Sequence, residues 1–334
     1  MLLEQRTSLP EGILETRPEN LHQLIPSPTL FHLSGKRPDP IFISVLLHGN
    51  EPTGFFALQA ILKKYQNHDL PRSLSIFFGN TLAASHKLRR LDNQPDFNRI
   101  WPGTEFPESP ESRIASEIVE IMKQKNTFAS IDIHNNTGLN PHYACINKLE
   151  NQFIQLASLF GRLIVYFTRP KGVQSGAFAK FCPAVTLECG KPGQKHGVEH
   201  AQDFLDTCIH LSELENIPVN AKDIDLFHTV AQVKVKEDID FSFQPPAELL
   251  LNPDLEWMNF TEIPADTVLG KVNQLQSIPL IAKNEQGKDI STDFFTINDH
   301  ELKITRQTMP SMLTLDERII RQDCLCYLME RIRP

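Results

Sequence analysis

Residues 40–51 read PIFISVLLHGNE, an almost unbroken apolar run from Pro40 to Leu47 that stops at His48-Gly49-Asn50-Glu51. A run that is apolar at nearly every position, rather than at alternate ones, predicts a strand covered on both faces. The residues after it, Phe55–Tyr65 (FFALQAILKKY), set apolar side chains at helical spacing and end on Lys63 and Lys64, so a helix follows the strand. The alternation continues along the chain. Leu74–Phe78 and Phe128–Ile133 are further apolar runs, with an amphipathic helix at Ser112–Lys123 between them. Leu163–Phe167 and Ala184–Leu187 read as strands and Glu199–Leu214 as a helix. Short apolar strands alternating with helices predict a three-layer α/β sheet. The first 38 residues, rich in proline and polar groups, read as an irregular lead-in with a short strand near Leu30–Leu33.

After Asn216-Ile-Pro-Val the texture changes. Val230–Val235 and Phe241–Phe243 alternate, and short runs are separated by Pro, Asn, Asp and Gly. A smaller β-rich domain over residues 219–334 is therefore expected behind an α/β domain over residues 1–218, in keeping with a chain of 334 residues at about 150 per domain. The charge divides at the same place. Residues 221–334 carry 19 acids against 12 bases, a net of −7, and leave the preceding part at −1 of the total −8. That balance disfavours nucleic acid and anionic membranes as partners. With 40% hydrophobic and 22% charged residues the chain is neither disordered nor a coiled coil. No stretch reaches the ~18 apolar residues of a membrane helix, and the N-terminus lacks the order of a signal peptide. Six sparse cysteines without a C-x-x-C pair read as reduced, mostly buried thiols of a cytoplasmic protein.

Three of the apolar strands end in chemically distinctive residues: His48-Gly49-Asn50-Glu51, His134-Asn135-Asn136 and Glu188-Cys189-Gly190. Ligands of open α/β sheets lie beyond the carboxyl ends of strands, so residues far apart in sequence converge there. His48 and Glu51, three apart on a tight turn, can chelate one ion, and His134 supplies a third ligand. Two imidazoles, one carboxylate and an open position make a hydrolytic zinc site. His-x-x-Glu alone is common by chance, so the inference rests on the set and on the loop between, RRLDNQPDFNRIWPG at 89–103. That loop region, 81–103, carries Lys87, Arg89, Arg90 and Arg99 against Asp92 and Asp96, a local +2 in an acidic chain.

HGNEPTG at 48–54, DFNRIWPG at 96–103, SIDIHNNTG at 130–138 and TLECG at 186–190 come in the order of one family. Together they resemble the succinylglutamate desuccinylase/aspartoacylase family, a branch of the zinc carboxypeptidase superfamily. The resemblance implies a three-layer mixed-sheet, zinc-carboxypeptidase-like catalytic domain with a smaller β-rich C-terminal domain. It implies one zinc ion per chain held by His48, Glu51 and His134, with Glu188 as general base. It implies that Arg99, with Asn98 beside it, grips a substrate carboxylate. Arg90 stands where the family keeps an arginine for the developing oxyanion. The spacing from it to Asn98-Arg99 is one residue longer than usual, which leaves Arg89 as a rival.

Asp132 lies two residues before His134, on the same strand face, where it can orient the imidazole. The family's aspartoacylase branch keeps a Tyr and an Arg shortly before the base, and Val173–Phe181 (VQSGAFAKF) has neither. Lys180, Arg169 and Tyr166 are the nearby substitutes. Tyr143 and His142 follow the third motif and can reach the cleft. His196-Gly197-Val198-Glu199-His200 has its Glu in the wrong place for a zinc helix, and Gly197 weakens a helical start, so it is read as the lead into the helix from Glu199.

The expected activity is zinc-dependent hydrolysis of the amide of a small anionic N-acyl amino acid. A carboxypeptidase acting on short peptides and a non-catalytic metal-binding protein on the same scaffold are the alternatives. Whether the chain forms a homo-oligomer is left open.

Overall fold

A computed structural model describes residues 2–273 and 277–332. The chain divides into two compact units, one of Met1–Asn135, His142–Tyr166 and Pro170–Asp225, the other of Asn136–Pro141, Phe167–Arg169 and Leu226–Pro334.

The first unit is built on strands β1 (Glu4–Arg6), β2 (Thr29–Leu33), β3 (Gly35–Val45), β4 (Leu70–Phe78), β5 (Ala129–His134), β6 (Tyr143–Ile146), β7 (Leu163–Tyr166) and β8 (Ala184–Glu188). They lie side by side in the order β1-β2-β4-β3-β5-β8-β6-β7. The four in the middle, β4, β3, β5 and β8, are parallel, whereas β2 runs antiparallel to β4 and β6 antiparallel to β8. Ile41, Phe42, Ile43 and Val45 of β3 are all fully buried, which is why that strand reads as a continuous apolar run. Helices α1 (Leu21–Leu24), α2 (Thr53–Lys64), α3 (Thr81–Ser85), α4 (Pro110–Gln124), α5 (Asn151–Ser158), α6 (Gln174–Phe178) and α7 (Lys195–His210) complete the unit. Ser109 caps α4 in a reciprocal box with Ser112, and Pro110 opens the helix.

The chain passes from β3 through α2 to β4 on one side, then returns to place β5 on the other side of β3. Strand order therefore reverses between β3 and β5, and a crevice opens at their carboxyl ends. Leu46, buried with φ 57°, turns the chain sharply where β3 stops. A Cβ on Gly49 would overlap the backbone of Ala83 and Ala84, so only glycine lets the His48–Glu51 turn approach that closely.

Several boundaries differ from the sequence reading; β4, for one, begins at Leu70 rather than Leu74. The strand expected from Pro40 begins at Gly35, a start hidden from the sequence reading because GKRPD alternates between half-buried and exposed positions and carries no apolar run. The lead-in is more ordered than its composition suggests, with β1 paired in parallel to β2. Helix α7 spans Lys195–His210 rather than Glu199–Leu214. Gly197 lies inside its first turn because a Cβ there would stand 2.5 Å from the Cys189 carbonyl oxygen.

The second unit is β-rich. Asp225–Val235 pairs antiparallel with Leu280–Lys283 and with Cys326–Arg331, which in turn pairs with Met309–Ser311. A separate sheet holds Phe241–Ser242, Leu249–Leu251, Val268–Val272, Glu301–Ile304 and Phe295–Asn298. Val233, Leu249, Leu280, Leu302, Ile304 and Leu328 are fully buried among its core. Among the described residues no helix is long and apolar enough to cross a membrane. All six cysteines are free thiols, five of them buried.

Candidate metal centre

His48 and Glu51 follow β3, and His134 is the last residue of β5. The topology thus brings both imidazoles to the crevice between neighbouring parallel strands. Glu51 bridges them: Oε1 is 2.8 Å from His48 Nδ1 and Oε2 is 2.6 Å from His134 Nδ1. The Asn135 backbone N–H also donates to Oε2, at 3.2 Å. All three residues are buried, and one ligand atom from each lies within 4.8 Å of the others.

Each imidazole is held from its far side by a carboxylate. His48 Nε2 is 2.9 Å from Asp96 Oδ1, and His134 Nε2 is 2.8 Å from Asp132 Oδ2. Asp132, fully buried, also accepts from Ser44 Oγ at 2.6 Å. With Nε2 of each ring held by a carboxylate, each Nδ1 is turned toward Glu51, the orientation in which an ion could take the place of the proton shared with that carboxylate. Three buried protein ligands with both imidazoles fixed in this way suit one divalent metal ion with a position left for water.

Glu188 closes β8 and is buried. It stands in register with His134 of β5 on one side and with Tyr143 of β6 on the other. The three residues form a row across the sheet at its chemically active edge, and directly opposed residues share a face. Tyr143 is itself buried.

Of the two rival arginines, the structure brings Arg89 to the site. Its Nε and Nη2 donate to Asp96 Oδ2 at 3.2 and 3.0 Å, and its Nη1 lies 3.7 Å from Glu51 Oε1. Arg90 instead donates from Nη1 to the Gln94 carbonyl at 2.8 Å. The two arginines, adjacent in an irregular loop, thus point to different partners. Asn98 faces inward, with its amide nitrogen 3.3 Å from Asp132 Oδ2 and 3.1 Å from His134 Nε2. Arg99 is partly buried and donates from Nη1 to the Asn98 carbonyl at 2.8 Å. Its loop is fixed by Trp101 N–H on the Gly172 carbonyl and by Thr104 Oγ1 on the Arg99 carbonyl.

Lys180, Arg169 and His142 have the following surroundings. Lys180 is exposed, with Nζ 3.6 Å from where a Cβ on Gly103 would stand. Arg169 donates from Nε to the Glu285 carbonyl within the second unit. His142 pairs with His200, Nδ1 to Nδ1 at 2.8 Å, and stacks on His196 with ring centroids 5.1 Å apart. The sequence reading assigned no role to Asp96. Its signal was available, since Asp96 precedes Asn98 by two residues in the same motif, as Asp132 precedes His134.

The succinylglutamate desuccinylase/aspartoacylase catalytic domain matches this chain over residues 40–211. The chain belongs to that family. No sequence among curated proteins matches it. Solved members share its fold at low identity. The succinylglutamate desuccinylase from Chromobacterium violaceum superposes with a TM-score of 0.59 at 16% identity, over 89% of this chain and 86% of that one. Murine aminoacylase 3 does so with a TM-score of 0.57 at 14% identity, over 90% of this chain and 98% of its own. Family membership and the His48–Glu51–His134 group rest on separate observations, one on sequence and one on geometry.

The group's electrostatics make metal binding proton-linked. Burial opposes charging of His134, but the carboxylates of Asp132 and Glu51 on either side of the ring outweigh it and hold its pKa well above 6.5. Burial likewise opposes ionisation of Glu51 and Asp96, yet both are held below the usual carboxylate range, Glu51 by His48 and His134, Asp96 by Arg89 and His48. A metal on Nδ1 must therefore displace a proton from His134. Apparent Zn2+ affinity is expected to climb about tenfold per pH unit while the pH lies below that raised pKa, and to level off once it is passed. In the metal-free protein the His134 charge stabilises the fold below 6.5 and stops doing so as pH rises through that raised pKa. Glu51 and Asp96 act oppositely, stabilising above about 4 and losing that contribution as pH falls. Titration calorimetry with Zn2+ in two buffers of different ionisation heat reads the released proton. A heat independent of buffer contradicts it.

Proposed function

We propose that this protein is a zinc-dependent hydrolase that cleaves the amide bond of a small N-acyl amino acid. The observation that carries the reading is the buried His48–Glu51–His134 group with a carboxylic side chain, Glu188, in register beside His134. The family supports it, since solved proteins of similar fold include a succinylglutamate desuccinylase and an aminoacylase.

Zinc bound at this group would supply Lewis acidity to the scissile carbonyl and to the attacking water. His48, Glu51 and His134 would hold it, while Asp96 and Asp132 keep the two Nδ1 atoms facing inward. Glu188 takes the proton of the attacking water and returns it to the departing amine. Arg89, tied to Asp96 and adjacent to Glu51, faces the negative charge that develops on the carbonyl oxygen. Arg99 accepts a substrate carboxylate on its guanidinium fork. Tyr143, opposite Glu188, borders the acyl group.

Arg89→Ala is expected to lower kcat/KM about 10²-fold, the loss usual for one donor to a developing oxyanion. Arg90→Ala, which gives up the Gln94 carbonyl contact, should stay close to wild type. Equal losses in the two variants, read by steady-state kinetics, would remove Arg89 from this role. The function itself is tested by incubating zinc-loaded protein with a panel of N-acyl amino acids and short peptides. Release of free amino acid from the acylated compounds is the expected result. Cleavage of peptides alone would make the protein a carboxypeptidase and overturn the reading.

A further inference from the structure

Helix α2 begins without a side-chain cap. The residue before it is Pro52, whose ring offers no acceptor, and the first N–H groups of a helix have no partner inside it. Asn135, which follows the last residue of β5, supplies one: its Oδ1 accepts from the Thr53 backbone N–H at 3.2 Å. The other end of the same amide reaches a third segment. Nδ2 donates at 2.8 Å to the carbonyl of Gly190, two residues beyond Glu188. Asn135 is buried, and its own backbone N–H is the one that donates to Glu51 Oε2. One residue therefore meets the turn that carries His48 and Glu51, the strand end that carries His134 and the turn that follows Glu188.

That last turn is held from two sides. The ladder between β5 and β8 runs one bond past Glu188, from the Cys189 N–H to the His134 carbonyl at 3.0 Å. Gly190 then leaves the sheet with φ 72°, a conformation that favours glycine. Its carbonyl faces Asn135, and behind its α-carbon stands His142. A Cβ on Gly190 would lie 2.9 Å from His142 Nε2, and that ring is fixed by its Nδ1 bond to His200.

We propose that the side chain of Asn135 is a positioning group for Glu188, tying the turn that sets the base to the helix and loop that set the metal ligands. The atoms of the residue divide the work. Its backbone N–H serves Glu51 and survives substitution, whereas its amide serves Thr53 and Gly190 and is lost with the side chain. A general base must stand within about 3 Å of the proton it takes, and misplacement by about 1 Å costs on the order of 10²-fold. The inference rests on Glu188 being the base, as proposed above, and deepens that reading.

The test reads the turn separately from turnover. Asn135→Ala, Asn135→Asp, Gly190→Ala and the Asn135→Ala/Gly190→Ala double variant are compared by Zn2+ titration, amide hydrogen exchange, thermal unfolding and steady-state kinetics. In Asn135→Ala, kcat is expected to fall about 10- to 100-fold, with KM and Zn2+ affinity within about threefold of wild type. Exchange of the Cys189 amide should quicken about tenfold or more, while the amides of β3 and β5 keep their protection. Asn135→Asp keeps an acceptor for the Thr53 N–H, where negative charge at a helix N-terminus is favourable, but it turns an oxygen on the Gly190 carbonyl. It should melt close to wild type and still lose kcat, which separates capping of α2 from positioning of the base. Gly190→Ala pushes the turn off the same contact, so its loss should not multiply with that of Asn135→Ala. If Asn135→Ala does not fold, Asn135→Asp and its double variant with Gly190→Ala carry the same comparison. Losses that multiply, or an Asn135→Asp kcat within about threefold of wild type, would overturn the proposal. A KM raised about tenfold with kcat unchanged would overturn it too, by making Asn135 a substrate contact. A wild-type protein that binds Zn2+ but hydrolyses nothing on the panel would sink the proposed function, and hydrogen exchange would still read whether Asn135 holds the turn.

Discussion

Glu188→Gln is expected to lower kcat about 10³-fold while the protein still carries one equivalent of zinc, since general acid–base groups contribute about 10²–10⁴. The expectation follows from position. Glu188 ends β8 level with His134, buried at the rim where the two parallel strands stop. It is not one of the three residues whose ligand atoms cluster, so its loss should spare the metal. Glutamine keeps the shape and can still hydrogen-bond, but it cannot accept the proton of an attacking water or pass one to a leaving amine. Metal analysis and single-turnover kinetics on the same preparation separate the two effects. A kcat within tenfold of wild type would remove Glu188 as the base, and lost zinc would make it a ligand.

Glu51→Ala should act through the metal instead. Both carboxylate oxygens of Glu51 are engaged, one on each imidazole Nδ1, and Oε2 also receives the Asn135 N–H. Alanine leaves two protein ligands, one short of the three that hold a catalytic zinc. Zinc affinity is therefore expected to drop by more than the roughly 10- to 100-fold that follows loss of an outer carboxylate, and activity with it. Asp96→Ala and Asp132→Ala provide that milder comparison within the same protein. Equilibrium dialysis against buffered zinc ranks the variants. A Glu51→Ala protein that retains a full equivalent of zinc at wild-type affinity would exclude Glu51 from the ligand set.

Much of the catalytic scaffold is legible in the chain because parallel strands covered on both sides must be apolar throughout. PIFISVLL, FASIDI and AVTL announce themselves as strands, and the first polar residues after them mark the sheet's carboxyl edge. His48, Glu51, His134 and Glu188 are found that way. Tyr143–Ile146 is not, since YACI holds a single β-branched residue where LIVY and AVTL hold two, yet it is this strand that sets Tyr143 opposite Glu188. The start of α7 is hidden for a different reason. Gly197 argues against a helix by intrinsic preference, and tertiary contact with Cys189 requires it there.

The loop of residues 89–103 draws the sharpest line between the two kinds of information. Its composition, three arginines against two aspartates, gives it a local positive charge, and its order among the other motifs marks the family. Which arginine points inward depends on the path of an irregular backbone, for which sequence offers no period. Side-chain direction there is decided by Asp96, which draws Arg89 and His48 onto one carboxylate, and by Gln174, whose N–H turns the amide of Asn98. The class of fold, the ligand types and the order of the motifs can be read from the chain, because they follow from burial periodicity and from the chemistry of single side chains. The pairing of Asp132 with His134, two residues apart on one strand, is legible too. Asp96 to His48 and Arg89 before Arg90 belong to the folded molecule, because the path of the 89–103 loop against β3 is encoded in no local pattern.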